Sequence, residues 1–236
     1  MRIRRVTCVL VLVLLGSVAA VAQIPPAPPP AMPRGLVDSK PAVSDGYVLF
    51  SPILSGTTYL IRNDGRVVHT WSSELTGTAM YLLPNGNLLR GARDPDILHF
   101  LFGGVTGILQ EIDWSGDVVW ERRLGDAKRV LHHDLEPLPN GNLLALAWEL
   151  KTPEQAIAAG RRPEAVPEMG LMSEYVIEIE PVRPRGGKIV WEWHIWDHLV
   201  QDHAPEALHY GDPAEHPGLL DLNVGAGAPP VSEEEL

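Results

Sequence analysis

Two adjacent histidines, His132 and His133, are followed by Asp134 and by the turn 139–142, Pro-Asn-Gly-Asn. A neutral imidazole can act as a base, an acid or a nucleophile near neutral pH, and a carboxylate can orient it by accepting a hydrogen bond from its far nitrogen. The pattern predicts His132 and His133 as catalytic candidates, with Asp134 in support. On a regular strand their side chains would point to opposite faces. The alternative is that the pair only hydrogen-bonds loop backbone.

A second polar cluster lies in the tryptophan-rich stretch 191–203, which contains His194 and His198. Their spacing would suit zinc on a helix, but the density of Trp, Ile and Val disfavours a helix and no Glu follows His194. We take both as supporting residues and predict no metal. Two alternatives are a metal site formed with His132, and tryptophan packing with histidines hydrogen-bonded at its rim.

The sequence contains no Gly-x-x-x-x-Gly-Lys loop, no Gly-x-Gly-x-x-Gly fingerprint after a strand and no Gly-x-Ser-x-Gly elbow. A reaction that depends on a nucleotide is therefore not supported, and we expect no cofactor.

The Pro-Asn-Gly-Asn turn occurs twice, at 84–87 and at 139–142. In the earlier copy, Gly77 and Thr78 stand where the later copy has the two histidines. Each copy reads as strand, Gly turn, strand, connection, strand, Pro-Asn-Gly-Asn turn, strand, and a third copy begins at Tyr175 but has no such turn. Four strands in about fifty residues indicate a propeller blade.

Strand-like runs separated by turn signals predict an all-β protein, here with about three blades of an incomplete β-propeller. One helix is predicted over 153–160, capped by Thr152, as an insertion between the second and third copies. The predicted strands are Tyr47 to Phe50, Thr57 to Arg62, Val67 to Trp71, Ala79 to Leu83, Asn87 to Gly91, Ile108 to Asp113, Val118 to Arg122, Leu143 to Trp148, Tyr175 to Glu180 and Lys188 to Trp193.

Four segments are predicted along the chain: a signal peptide over 1–22, a proline-rich linker over 23–44, the partial propeller over 45–223 and a disordered acidic tail over 224–236. The first has basic residues, a short apolar run and the cleavage-like Ala20-Val21-Ala22. The run is too short to span a bilayer, so we expect cleavage rather than stable membrane insertion. Cys8 lies inside the apolar run and supports neither a lipid anchor nor a disulfide.

The chain is acidic, with a formal net charge of -11. Removing 1–22 would remove Arg2, Arg4 and Arg5 and no acidic residue, which changes the net charge to -14. Such a protein has no electrostatic reason to bind nucleic acid or anionic lipid.

The chain resembles the bacterial aryl-sulfate sulfotransferase family. The resemblance rests on the His132 to Asp134 segment with its turn, the paired blade turns, and 189–198 followed by Gly211-Asp212 and His216-Pro217. It implies a secreted or periplasmic six-bladed propeller that moves a sulfuryl group from an aryl sulfate to a phenol, through a sulfated histidine and without a nucleotide. His132 or His133 matches the family's first conserved histidine, which assists at the donor.

The family's nucleophilic histidine and its active-site arginine lie in later blades, and neither maps to a residue here. We therefore expect the chain either to be a fragment that is inactive alone or to close its ring by self-association, since an open arc leaves strand edges and a blade face uncovered. Two other functions stay open: a non-catalytic propeller-like binding module, and a metal-dependent hydrolase.

Overall fold

A computed structural model of the chain describes residues 35–38, 40, 42–98, 100 and 103–225. The predicted signal peptide lies outside the described residues, as do most of the linker and of the acidic tail. All elements below belong to the unit that starts at Asp38. Their bounds are β1 Tyr47–Phe50, β2 Thr57–Arg62, β3 Val67–Ser72, β4 Gly77–Leu82, β5 Leu88–Arg93, β6 Gly107–Ile112, β7 Val118–Arg123, β8 Arg129–Pro137, β9 Leu143–Lys151, α1 Pro153–Ala158, β10 Leu171–Pro181, β11 Gly187–His194, β12 Leu199–Val200 and β13 Leu220–Asp221.

The described part of the chain is nearly all β, as predicted, and the ten predicted strands are confirmed. Three antiparallel sheets follow one another along the chain. The first sheet has the order β1-β2-β3, the second β4-β5-β6-β7 and the third β11-β10-β9-β8. A short parallel pair, β12-β13, follows them. β8, which carries the two histidines, is not among the ten predicted runs.

The Pro-Asn-Gly-Asn turns close the first hairpin of the second and third sheets, β4-β5 and β8-β9. Gly86 and Gly141 have φ of +86° and +87°, a left-handed conformation that glycine adopts without strain. The turn also holds a glutamate on the third strand of its sheet: Asn87 Nδ2 donates to Glu111 Oε1 at 2.7 Å, and Asn142 Nδ2 donates to Glu178 Oε1 at 2.6 Å. The repeat seen in the sequence is therefore a repeat of contacts as well.

The boundaries between the sheets do not coincide with the boundaries between the sequence copies. Each four-stranded sheet consists of a Pro-Asn-Gly-Asn hairpin followed by a Gly-turn hairpin, and the connections β3-β4 and β7-β8 lead from one sheet to the next. The connections β5-β6 and β9-β10 are longer, over 94–106 and 152–170, yet both keep the chain in its sheet, so the length of a connection does not decide where a sheet ends. Helix α1 lies between β9 and β10, which is the predicted place between the second and third sequence copies, but both of these strands belong to the third sheet.

The three sheets pack in series through their apolar faces. Leu88 and Leu89 are consecutive on β5 and are both fully buried. Leu88 packs toward Leu60 of the first sheet, whereas Leu89 belongs to a core shared with Ile177 of the third, as expected for alternating side chains. The middle sheet is therefore covered on both faces.

Tryptophans reinforce both junctions between sheets. Trp71 Nε1 on β3 donates to the Asp113 carbonyl in the Gly turn of the second sheet at 2.9 Å. Trp120 Nε1 on β7 donates to the Gly186 carbonyl in the Gly turn of the third sheet at 2.8 Å. Burying an indole ring with its N–H satisfied combines a large apolar contact with a specific direction.

Trp191 occupies on the third sheet the register position that Trp120 occupies on the second. Trp120 lies opposite Glu111 and Trp191 opposite Glu178, in each case next to a β-bulge. Trp120 is 1% exposed, whereas Trp191 is 47% exposed. The outer face of the third sheet thus has a tryptophan at the position that joins the second sheet to the third, but no described sheet packs against it.

Helix α1 begins as predicted. Thr152 and Gln155 form a capping box, in which the Thr152 hydroxyl accepts from the Gln155 N–H and the Gln155 side chain accepts from the Thr152 N–H. The loop after the helix is tied to the end of the described chain, because the Asn223 side chain accepts from the Arg162 N–H and donates to the Gly160 carbonyl. Within the described residues, no helix combines the length and apolarity needed to cross a membrane.

Candidate functional site

The strand β8 is interrupted at the two histidines. Its register to β9 shifts between Leu131 and Leu135, and His133 has φ of +51°, which is uncommon for a residue other than glycine. His132 is buried and His133 is exposed, but their Nδ1 atoms lie 3.0 Å apart. The predicted divergence of the two rings to opposite faces is wrong, because the left-handed residue breaks the alternation of the strand.

His132 lies in a largely apolar setting. Its ring stacks on Trp148 with centroids 3.9 Å apart and an interplanar angle of 15°. Its Nε2 is 3.9 Å from Glu174 Oε2. Burial lowers the pKa of His132 below its usual value, and the Glu174 carboxylate offsets this only in part. We therefore expect a neutral His132 at pH 7.

His133 is held by the segment before β6. Its N–H donates to the Gly104 carbonyl at 2.7 Å, and its own carbonyl accepts from the Thr78 hydroxyl at 3.3 Å. Gly104 has φ of +78°, and a Cβ there would lie 2.3 Å from His133 Nε2. The position of the His133 ring thus requires a glycine at 104.

His133 lines a cleft of about 730 Å³. The first sheet contributes Ile53 and Leu54, and β4 contributes Gly77 and Thr78, the counterparts of the two histidines in the upstream repeat. The two copies of the repeat therefore meet at one site. Other groups on its wall are Ser51, Thr76, Arg93, Gly104 and Val105.

Asp134 faces β4 rather than a histidine ring. Its Oδ1 accepts from the Tyr81 hydroxyl at 3.1 Å and from the Leu135 N–H at 2.9 Å. Burial and the hydrogen bond to Asp134 raise the pKa of Tyr81 to about 12. The predicted hydrogen bond from an imidazole to Asp134 is not found among the described residues. That Asp134 supports the histidines indirectly, by holding β8 against β4 through Tyr81, stays a prediction.

His194 is separated from the His132-His133 pair by the third sheet. Its Nδ1 lies 3.1 Å from Glu149 Oε1, and its ring stacks on Tyr175. His132 contacts Trp148, which precedes Glu149 on β9, and consecutive strand residues point to opposite faces. A role for His194 at the cleft would thus have to act through the sheet.

His198 follows β11 and stacks on Trp193, with centroids 4.7 Å apart. His132, His194 and His198 are not brought together, so the alternative of a metal site built from them is wrong. Among the residues that the structure describes, no group of three or more His, Cys, Asp or Glu side chains could hold a metal ion. The contacts of His194 and His198 instead match the alternative of histidines packed among aromatic rings.

Three cleft-related residues were not singled out from the sequence. Arg93 ends β5, Gly104 supports the His133 ring, and Trp148 stacks on His132. The adjacent glycines Gly103-Gly104 were an available signal, because such a pair often marks a close approach to backbone. Arg93 and Trp148 have no local sequence signal, since their neighbours come from other strands.

The hydrogen bond between the two Nδ1 atoms links the tautomer of His133, whose ring faces the cleft, to the tautomer of His132. If the proton between the Nδ1 atoms belongs to His133, neutral His133 has a free lone pair on Nε2 and can accept a proton or attack an electrophile. If it belongs to His132, His133 Nε2 carries a proton and can donate it. A neutral His132 can form this hydrogen bond with either tautomer of His133, because its Nδ1 accepts in one of its own tautomers and donates in the other.

The comparisons with known proteins identify the family but add little on the fold. No curated protein matches the chain significantly. A solved structure of a Bacteroides caccae protein of unknown function is 13% identical, with a TM-score of 0.31. It covers 65% of this chain, which spans 58% of that protein's length. The family model for arylsulfotransferase (ASST) matches residues 40–217, most of the chain, including the cleft and both histidine clusters. The chain therefore belongs to the arylsulfotransferase family.

Proposed function

We propose that this chain takes part in a nucleotide-independent transfer of a sulfuryl group from a phenolic sulfate ester to a phenol, at the cleft beside His133. The observation that carries the proposal is the contact between the two Nδ1 atoms, in which exposed His133 faces the cleft and buried His132 backs it. Membership of the arylsulfotransferase family supports the same reaction class.

The reaction balances without a cofactor. The ester S–O bond of the donor breaks, a new S–O bond forms to the acceptor oxygen, and one proton moves from the acceptor hydroxyl to the leaving phenolate. His133 supplies the proton to the leaving oxygen from Nε2, while its Nδ1 stays hydrogen-bonded to His132. Protonating a poor leaving group in the transition state typically contributes about 10²–10⁴-fold in rate. The nucleophile is left unassigned.

We further propose that the three sheets are propeller blades and that the protein works in the periplasm or outside the cell. The serial packing of the sheets and the two repeated tryptophan junctions support the first statement. The basic and apolar residues of 1–22 support the second. In a family with six blades, further blades would supply the groups that complete the site.

The test is a transfer assay with purified protein, 4-nitrophenyl sulfate and a phenol acceptor, without nucleotide. Sulfated acceptor, detected by mass spectrometry in step with released 4-nitrophenol, is the expected result. Hydrolysis that needs no acceptor and stops with a chelator would instead indicate a metal-dependent hydrolase. A well-folded protein without turnover would contradict the proposed reaction for this chain.

A second candidate function is a non-catalytic binding module, and one observation favours it. Trp191 and Trp193 are 47% and 37% exposed on the third sheet, in an arrangement that would suit a partner. Exposed aromatic residues of this size are enriched at protein interfaces. The transfer assay separates the two candidates, because a binding module would be folded and inactive.

A further inference from the structure

An exposed leucine at the cleft has a strained backbone. The segment 52–55 forms a tight turn in which the Ser55 N–H donates to the Pro52 carbonyl at 2.9 Å. Leu54 occupies the third position of this turn with φ of +60°, where glycine or asparagine is normally preferred. Leu54 is 84% exposed and the adjacent Ile53 is 92% exposed. Strain of this kind at a cleft points to a functional role, since neither side chain is used for core packing.

Arg93 provides a cation on the same cleft wall, and no acid in the described part of the chain neutralises it. Its Nη2 donates to the Phe100 carbonyl at 3.1 Å, and within the described residues no carboxylate forms an ion pair with it. The nearest acids in sequence, Asp94 and Asp96, pair with Arg123 at 3.2 and 3.0 Å. In a chain of net charge -11, an unneutralised guanidinium in a cleft favours an anion.

We infer that Arg93, Ile53 and Leu54 form a binding subsite for an aromatic ring that carries a sulfate group. The guanidinium of Arg93 donates to the sulfuryl oxygens, and the apolar pair covers one face of the ring. His133 on the same wall then lies near the ester oxygen that joins the two parts. The inference deepens the proposed function, on which its choice of ligand rests.

The subsite should bind an aryl sulfate more tightly than a simple anion such as inorganic sulfate. An aryl sulfate is a monoanion with a large apolar part, so it uses both the cation and the exposed leucine, whereas inorganic sulfate uses only the cation. The guanidinium fork matches two oxygens of a sulfuryl group better than a lysine ammonium would. Affinity should therefore depend on charge and on the ring together.

The experiment is equilibrium binding of 4-nitrobenzenesulfonate, whose C–S bond is not transferable, measured by calorimetry at moderate salt. Inorganic sulfate and the neutral 4-nitrophenyl methyl sulfone are the comparison ligands. The variants are Arg93→Gln, Arg93→Lys and Leu54→Gly, with Arg66→Gln as control because Arg66 is exposed and pairs with Asp64 away from the cleft. Thermal unfolding of each variant verifies that it is folded.

We expect the wild type to bind the sulfonate, and to bind sulfate and the sulfone at least about tenfold more weakly. Arg93→Gln should weaken sulfonate binding by about tenfold or more, with Arg93→Lys in between. Leu54→Gly, which also relieves the turn, should weaken binding of the sulfonate but not of sulfate. Arg66→Gln should bind as the wild type does.

Equal binding by wild type and a folded Arg93→Gln would overturn the inference, as would no sulfonate binding by the wild type. Sulfate binding as strong as sulfonate binding would leave an adventitious anion site only, which also overturns it. The outcome is separable from that of the proposed function. Arg93-dependent binding without sulfuryl transfer would sustain the subsite and refute the reaction, whereas transfer by a protein whose binding ignores Arg93 would do the reverse.

Discussion

The Nδ1 atoms of His132 and His133 lie 3.0 Å apart, although the two residues are neighbours on one strand. This contact is made possible by the left-handed backbone of His133 and by the absence of a side chain at Gly104. It joins a buried ring with a lowered pKa to an exposed ring at a cleft.

The buried ring of His132 should make stability depend on pH. The pKa of His132 is lowered in the folded state, so the unfolded chain binds a proton at a higher pH, near the ordinary value of 6.5. Stability from this residue is therefore present above that value and is lost as the pH falls below it toward the folded pKa. Melting temperatures of wild type and His132→Gln between pH 8 and pH 5 would show a smaller decline in the variant. Equal declines would contradict the lowered pKa.

Gly104→Ala should displace the His133 ring and destabilise the protein by about 1 kcal/mol or more, because the new Cβ would overlap Nε2 and the residue has a positive φ. The adjacent Gly103 is the matched control, since a Cβ there meets nothing within 4 Å. Denaturant unfolding and the imidazole NMR signals of His133 check both effects. If Gly103→Ala and Gly104→Ala behave alike, the described packing of His133 is wrong.

The two tryptophans at equivalent positions should respond differently to truncation. Trp120→Ala removes a buried ring between two sheets and should cost about 3–5 kcal/mol in unfolding free energy. Trp191→Ala should cost less than about 1 kcal/mol, because the ring is half exposed. Chemical denaturation measures both values. Similar losses for the two variants would show that Trp191 is covered in solution.

Self-association stays a prediction, and the outer face of the third sheet is where we expect it. Exposed Val190, Trp191 and Trp193 on an edge strand make a surface that another copy could cover. Sedimentation velocity should show oligomers whose fraction falls in Trp191→Lys. A stable, compact monomer of the wild type at high concentration would refute this prediction.

The repeated turns should stabilise their sheets to similar degrees. Asn142→Ala removes the hydrogen bond to the Glu178 carboxylate and should cost about 2 kcal/mol, as should Asn87→Ala through Glu111. Asn63→Ala, which removes a hydrogen bond from a half-buried Gly-turn asparagine to the Ser44 carbonyl rather than to a carboxylate, is the comparison and should cost only about 1 kcal/mol. Urea denaturation compares the three. Negligible losses in both turn variants would mean that the glutamate contacts contribute nothing.

The strands and turns could be predicted because their signals are local. Apolar alternation marked the ten strands, and Gly65, Gly116 and the Pro-Asn-Gly-Asn turns marked the hairpins between them. The division into sheets was not visible, since it depends on which connection leaves a sheet rather than on the order of strands. The position of α1 along the chain was predicted, but that its two flanking strands belong to one sheet was not visible for the same reason.

The candidate site was only partly predictable. His132 and His133 stood out because the upstream repeat has Gly77 and Thr78 in their places, but the positive φ of His133 has no signal in its own residue type. Arg93 reaches the cleft from another sheet, so only the packing of the second sheet against the third reveals it. The residue types of His132 and His133 indicated the chemistry, whereas the residues that they contact are brought to them from strands distant in sequence.

The most direct test of the central claim is the rate of phenol release from phenyl sulfate, whose phenolate is a poor leaving group, with a naphthol acceptor, by wild type, His133→Asn and His203→Asn. His203 is an exposed histidine outside the cleft and serves as the control. If His133 protonates the leaving oxygen, kcat/KM should fall by about 10²–10⁴-fold in His133→Asn and stay at the wild-type value in His203→Asn. A folded His133→Asn variant with wild-type kcat/KM would contradict the account.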